Sequence, residues 1–205
     1  MDEHVFSAIR GVRRNLTAEA LFVGISLGVL AQALRQVQGE PMQFGAATAP
    51  WLTVGFALAV WAAGRRAGGR VLAAYLIAWL VAYHVLFAVA QSVSSAAAFR
   101  EALPWLLLAP PICVALAPIA ALARRSGIAG DTCLAAPIAW SLPETIENAQ
   151  RGDVLAAAAI AVVSVLPVFA AGRRNVRIAT VVVAVIAFGA LALVAGPALR
   201  GHIHS

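Results

Sequence analysis

Residues 71–91 read VLAAYLIAWLVAYHVLFAVAQ and contain no Asp, Glu, Lys or Arg. A helix needs about 20 mostly apolar residues to cross a bilayer, and this stretch has that length and composition. Other apolar stretches occur at 16–34, 50–63, 103–122, 131–148, 154–171 and 176–199. We therefore predict an all-α, polytopic transmembrane helix bundle of about seven spans, in which residues 1–205 form a single domain.

The composition of the whole chain agrees with lipid as its solvent. Of the 205 residues, 62% are hydrophobic and only 12% are charged, whereas a soluble domain carries about a quarter charged residues. The formal charge is +6, but the arginines form short clusters between apolar runs, as they do in membrane proteins. We therefore expect the lipid bilayer as a partner and no nucleic acid.

The placement of arginine predicts the orientation of the bundle. Alternate loops hold eleven arginines, at positions 10, 13, 14, 65, 66, 70, 124, 125, 173, 174 and 177, and the opposite loops hold four, at 35, 100, 151 and 200. The positive-inside rule puts the richer side in the cytoplasm, so the N-terminus is expected inside and the C-terminus outside. All 15 basic residues are arginine, which suggests a GC-rich bacterial genome and hence a multi-pass protein of the bacterial inner membrane.

The start of the chain also imitates a signal peptide, because basic residues and an apolar run precede Ala31-Gln32-Ala33. The apolar run is long for a signal peptide and has no helix breaker before that point. We therefore expect the first helix to be retained.

Local signals predict where several helices begin. Asn15 or Thr17 can cap the first helix, and Asp131 can cap the fifth. Pro50 and Pro104 suit the first turns of the second and fourth helices, where a missing N–H is tolerated.

The first helix places small residues along one face. Ala20, Gly24, Gly28, Gln32 and Gln36 follow one another at a spacing of four, which aligns them on a helix. Glycines four apart let another backbone approach closely. We expect this face to pack against a neighbouring helix and to direct both glutamines at it. Contact with a second copy, giving a homo-oligomer through Gly24 and Gly28, is a second use of the same face.

Polar side chains inside a span are costly in lipid, so each one is a candidate for function. The third span carries His84 and, further out, Gln91, with Tyr83 and Phe87 close to the histidine in sequence. A single histidine in a span also serves as a structural hydrogen-bonding group, and both roles stay open here.

The fifth span contains the stretch WSLPETIEN, which begins at Trp140. Trp140, Glu144 and Glu147 share one face by helical spacing. Glu144 is the acid predicted deepest within a span, at nearly the height of His84 in its own span. We expect that carboxyl and imidazole to meet. The alternative is that Glu144 is a structural acid close to the outer interface.

These polar and aromatic side chains define a predicted site in the outward half of the bundle. The candidate catalytic residues are Glu144, His84 and Glu147, and the candidate substrate-binding residues are Trp140, Trp79, Tyr83, Phe87, Gln32 and Gln91. Trp51 and Trp105 begin even-numbered spans on the outer side, where tryptophan usually serves as an interfacial anchor. The chain has no phosphate loop, paired-cysteine zinc pattern or H-E-x-x-H motif, so neither a metal nor another cofactor is expected.

In layout, the chain resembles small actinobacterial multipass membrane proteins of unknown function, which place one glutamate late in a corresponding span, as Glu144 is here. In size and helix count it is also similar to the membrane-bound terpene cyclases of meroterpenoid and indole-terpenoid pathways. This resemblance implies a protonation-initiated, class II-like lyase or isomerase acting on an apolar isoprenoid substrate. Glu144 would be the proton donor, His84 or Glu147 its partner, and the aromatic residues the walls of the pocket.

Two other functions stay open, one that uses the same cavity and one that uses the small-residue face of the first helix. A small transporter or substrate-capture protein would use the cavity as its binding site, although only the fifth span looks broken and transporters usually break matching helices in both halves. A non-catalytic membrane partner protein would use the Gly24 and Gly28 face. The enzyme is our first hypothesis.

Overall fold

The computed structural model describes residues 15–39, 42, 45–63, 67–172 and 176–188, and every regular element in them is a helix. The helices are α1 (Leu16–Gln36), α2 (Ala49–Ala63), α3 (Gly68–Ala90), α4 (Ser95–Ala123), α5 (Ile128–Arg151), α6 (Val154–Ser164), α7 (Leu166–Ala170) and α8 (Ile178–Phe188). The all-α prediction is confirmed for this part of the chain. Residues 189–199 of the predicted last span lie outside the described residues.

Three of the described helices, α1, α3 and α4, are long and apolar enough to cross a membrane. This finding indicates a membrane protein. Three further apolar segments are shorter, namely Ala49–Ala63, Val154–Ala170 and Ile178–Phe188. The 15 residues of α2 rise only about 22 Å as a helix, less than the roughly 30 Å of a hydrocarbon core. With 24 residues, α5 is long enough but more polar.

The predicted helix starts are confirmed for α1 and for α2, where Pro50 lies in the first turn, and are wrong for α4 and α5. Asn15 caps α1, since its Oδ1 accepts the N–H of Ala18 at 3.2 Å. The cap of α4 is Ser94, so Pro104 lies inside a 29-residue helix and not in its first turn. The fifth helix begins at Ile128, and Asp131 is not its cap.

Asp131 lies in the first turn of α5 and forms a contact with another segment of the chain. Its side chain is fully buried, and its Oδ2 accepts the backbone N–H of Arg177 at 3.3 Å. A buried carboxylate is stable only when such donors replace water. Asp131 therefore ties α5 to the segment that precedes α8.

The closest helix pair is α1 with α3, which run parallel. A Cβ atom at Gly24 would lie 2.5 Å from the carbonyl oxygen of Tyr75, and one at Gly28 would lie 2.5 Å from that of Trp79. No side chain fits at those distances, so only glycine permits the contact. The prediction that this face packs against a neighbouring helix is confirmed. Because α3 of the same chain covers both glycines, the face is occupied without a second copy.

The core lies around α2 and the N-terminal half of α3. Phe56, Val60 and Tyr75 are fully buried, and Tyr75 Oη donates to the carbonyl oxygen of Trp51 at 2.9 Å. Trp51 is itself only 3% exposed. The prediction that Trp51 is an interfacial anchor is therefore wrong, because its indole packs within the bundle and cannot reach the lipid surface.

The glycine contact between α1 and α3 predicts an unusually severe effect of one methyl group. Gly28→Ala should lower the melting temperature of the purified protein, because overpacking typically costs about 1–3 kcal/mol. Ser26→Ala, on the exposed side of the same helix, is the matched control and should change little. Equal melting temperatures for the two variants would mean that α1 and α3 are not in this close contact.

Candidate functional site

Residues 45–48 lead into α2 at one end of the bundle and separate two cavities there. A Cβ atom at Gly45 would lie 2.5 Å from the carbonyl oxygen of Ala31, so the segment passes directly against α1. Ala46 and Ala47 border both cavities. The C-terminal ends of α1 and α3 meet here through Gln36 and Gln91, whereas α5 reaches this end through the contacts of Glu144 with Thr48 and Ala49.

The larger of these two cavities, the polar cavity, has a volume of about 330 Å³. It lies between the C-terminal end of α1, residues 45–48, and the facing sides of α3 and α4. Its lining comprises Arg35, Gly45, Ala46, Ala47, Thr48, Trp79, Leu80, Tyr83, His84, Glu101 and Trp105. The cavity thus combines a guanidinium, an imidazole and a carboxyl with three aromatic side chains.

An apolar groove, the α3/α4 groove, adjoins the polar cavity. It has a volume of about 430 Å³ and is lined by Leu80, Val81, His84, Val85, Ala88, Val89, Ser95, Ala98, Phe99, Ala102 and Leu106. Val85, Val89 and Phe99 are exposed by more than half. Leu80 and His84 line both spaces, so the histidine lies at the junction between a polar and an apolar volume.

His84 is held by aromatic neighbours and not by hydrogen bonds. Its ring meets that of Tyr83 edge-on at 5.2 Å and that of Phe87 at 6.5 Å. The side chain is 9% exposed, and Nδ1 has no hydrogen-bond partner among the described residues. Its charged neighbours are Glu101 and Arg35. A buried polar atom without a partner is rare and indicates a water or a ligand.

Trp79 repeats this pattern on the same helix. Its indole stacks on Tyr83 with ring centroids 5.6 Å apart, and its Nε1 is buried without a partner in the described part of the chain. Indole Nε1–H can only donate. Trp79 and His84, which both line the polar cavity, thus each carry a buried nitrogen without a partner among the described residues.

Arg35 closes the polar cavity from α1. Its Nη1 donates to Tyr83 Oη, and its guanidinium lies 5.8 Å from the centroid of the Phe87 ring. Glu101 borders the same cavity from α4. Between these two side chains the structure records no ion pair, although they bear opposite charges.

Glu144 lies on the other side of residues 45–48 and has a structural contact. Its Oε1 accepts the backbone N–H of Thr48 at 3.1 Å, and its Oε2 accepts that of Ala49 at 3.0 Å. These N–H groups open α2, where the first donors of a helix lack backbone partners. A carboxylate also interacts favourably with the helix dipole at that end. Glu144 thus supplies, from a distant helix, the cap of α2.

The second cavity, of about 200 Å³, is bordered by Ala46, Ala47, Glu144, Glu147, Asn148 and Arg151. Glu147 forms an ion pair with Arg151 at 2.6 Å, and both side chains are substantially exposed. Asn148 Nδ2 donates to the carbonyl oxygen of Glu144 at 2.7 Å. This cavity has no aromatic lining.

The predicted site residues therefore divide into separate groups. Trp79, Tyr83 and His84 lie together at the polar cavity, whereas Glu144 and Glu147 lie at the second cavity. The structure places His84 and Glu144 on opposite sides of residues 45–48 and does not bring them together.

The other predicted binding residues make local contacts. Trp140 Nε1 donates to Thr53 Oγ1 at 2.9 Å, and its ring meets Phe56 edge-on, so it joins α5 to α2. Gln91 Nε2 donates to Gln36 Oε1 at 3.3 Å on the exposed surface. Gln32 is fully buried, and both atoms of its amide lack partners among the described residues.

Three charged or aromatic residues that line the polar cavity are not among the predicted site residues. Glu101 precedes the predicted span 103–122, because Pro104 indicates a later helix start. The structure starts α4 at Ser95, with Ser94 as its cap, so Glu101 lies within the helix. Arg35 served only as a topology marker. Trp105 was assigned to the interface, and it is in fact 42% exposed while also lining the cavity.

Within residues 15–188, apart from the undescribed gaps, no group of three His, Cys, Asp or Glu side chains could hold a metal ion. No protein-family model matches the chain, and no curated protein or solved structure matches it. The function must therefore be inferred from the geometry of the candidate site.

The cap on α2 predicts that Glu144 contributes to stability. Glu144→Gln keeps the shape but replaces one acceptor oxygen with an NH2 group, which leaves the N–H of Thr48 or Ala49 unsatisfied. We expect a lower melting temperature, because such a loss costs about 1–3 kcal/mol. Glu147→Gln is the control: it removes an exposed ion pair that is worth at most about 1 kcal/mol. Equal effects would contradict the capping role.

Proposed function

We propose that this is a seven-span inner-membrane protein with the N-terminus inside and the C-terminus outside. The eleven-to-four division of arginines supports this orientation. So does the parallel course of α1 and α3, since two helices separated by one span must point in the same direction. The polar cavity and the second cavity then lie at the outer face.

This topology predicts opposite accessibility for the two ends of the chain. A membrane-impermeant maleimide applied to intact cells should label Ser205→Cys and leave Ser7→Cys unlabelled until the cells are opened. The unsubstituted protein corrects for any labelling of its own cysteines. Labelling of both sites in intact cells would require an even number of spans.

We further propose that the outer end of the bundle binds an amphiphilic molecule with an apolar, isoprenoid-type chain. The observation that carries this proposal is the position of His84, which lines both the polar cavity and the α3/α4 groove. An amphiphile needs such a junction, because its chain and its head require different surroundings. Binding of this kind fits a substrate-capture or transport role.

The groove is suited to a hydrocarbon chain. Apart from His84 and Ser95, the groove is lined by aliphatic residues and Phe99. Exposed valines such as Val85 and Val89 border its open side. In a membrane this side faces lipid, so a chain can enter sideways without crossing water.

Acid-initiated chemistry on an isoprenoid is the second candidate, and a specific observation favours it. A carboxyl, an imidazole and three aromatic rings line one cavity, which are the groups that proton transfer and cation stabilisation need. In this arrangement Glu101 with His84 is the better acid pair, because both oxygens of Glu144 already accept N–H bonds. Cyclised products in the lipid extract of cells expressing the protein would support this candidate over capture alone.

The groove predicts that one bulky substitution blocks binding. Val85→Trp should weaken the binding of a radiolabelled polyprenyl alcohol to the purified protein by about tenfold, or about 1.4 kcal/mol, because the indole would fill the groove. Ile77→Trp lies on the same helix, is similarly exposed and is outside the groove, so it should bind normally. Unchanged affinity in Val85→Trp would rule out the groove as the chain site.

A further inference from the structure

The polar cavity contains two opposite charges that do not neutralise each other. Arg35 and Glu101 both line it, yet the structure shows no ion pair between them. Glu101 has no hydrogen bond within the described residues, and Arg35 contacts only the hydroxyl of Tyr83 and the ring of Phe87. Opposite charges that face a shared space without pairing are complementary to a ligand that carries both signs.

The side of the cavity near α1 and α3 offers donors. Trp79 Nε1–H has no partner there, and neither has Nδ1 of His84, which donates when it carries the proton. His84 is more than nine-tenths buried, so its Nδ1 needs a water or a ligand atom as a partner. With the guanidinium of Arg35, these groups match an oxyanion such as a phosphate.

The opposite side, on α4, suits a cation. Glu101 supplies a carboxylate, and Trp105 follows it by four residues, which places both on one face of α4. Both line the polar cavity. A carboxylate beside an indole ring is a favourable surrounding for an ammonium group, since the face of the ring also attracts cations.

We infer that the head of the amphiphile is a zwitterion of the phosphoethanolamine kind, with its phosphate toward Arg35 and Trp79 and its ammonium toward Glu101 and Trp105. This inference rests on the proposed amphiphile site. The cavity of about 330 Å³ lies at the small end of the range for ligand sites, about 300–1,000 Å³. His84, which also lines the groove, is at the point where head and chain meet.

Other head groups fit the charges less well. A purely anionic head would meet the carboxylate of Glu101, and a purely cationic head would meet Arg35. A neutral head would displace the water that solvates Arg35 and Glu101 and would offer neither of them a group of opposite charge. The lipid source is favoured over a free zwitterion in water because the cavity adjoins the apolar groove, with which it shares Leu80 and His84.

The test compares head groups on identical acyl chains. The full-length protein in detergent is titrated with phosphatidylethanolamine, phosphatidylglycerol and diacylglycerol, and bound lipid is counted by native mass spectrometry. We expect phosphatidylethanolamine to bind about tenfold more tightly than either of the others. Water-soluble phosphoethanolamine should compete only at far higher concentration, because it lacks the chain.

Substitutions assign the preference to the two charges. Glu101→Gln should abolish the preference over phosphatidylglycerol, and Arg35→Gln should weaken both phospholipids while leaving diacylglycerol unchanged. Both positions are exposed, so folding should survive. Glu147→Gln, which removes an exposed charge at the second cavity, is the control and should retain the wild-type preference.

The outcomes separate the two proposals. Equal binding of all three lipids, still sensitive to Val85→Trp, would overturn the zwitterion while leaving the amphiphile site intact. A preference for phosphatidylglycerol, or one unaffected by Glu101→Gln, would overturn it as well. Free phosphoethanolamine binding as tightly as the lipid would contradict a lipid source. Binding insensitive to Val85→Trp would remove the amphiphile site itself.

Discussion

Two hydrogen bonds from the start of α2 to the carboxylate of Glu144 join α2 to α5 at the end of the bundle that holds the cavities. The first N–H groups of a helix have no partner within the helix, and in a membrane no water is at hand to satisfy them. Glu144 satisfies the N–H groups of Thr48 and Ala49 from α5, far along the chain. The start of α2 is thereby fixed, and residues 45–48 are held between α1 and α5.

The second constraint is the contact of α1 with α3. Because Gly24 and Gly28 have no side chains, the two backbones approach closely, and the C-terminal ends of the two helices stay in contact through Gln36 and Gln91. Arg35 is in that way brought to Tyr83 and the ring of Phe87. The polar cavity therefore depends on the packing of Gly24 and Gly28, which precede Arg35 on α1, against α3. Its fixed shape suits recognition, since little ordering is left for the ligand to induce.

Much of the architecture could be predicted because it follows from local patterns. Residues 71–91 contain no Asp, Glu, Lys or Arg and form α3 with little change of boundary, and the spacing of Gly24 and Gly28 indicates the packed face of α1. The role of Glu144 was not predictable in this way. Its partners are backbone groups about 95 positions away, which leave no trace in spacing or composition.

The site was predicted in part for the same reason. Trp79, Tyr83 and His84 lie on one helix, so their common location followed from helical geometry. Glu101 could not be found in this way, because Pro104 predicts a helix start, whereas α4 contains Pro104 in its interior and begins at Ser95.

The most direct test of the proposed site uses an amphiphile with a photoreactive group close to its head. The amphiphile is crosslinked to the protein in membranes, and the crosslinked residues are mapped by peptide mass spectrometry. We expect crosslinks on α3 and α4 around His84 and Glu101, which line the polar cavity, and crosslinks concentrated on α5 around Glu144 and Glu147 would contradict this site.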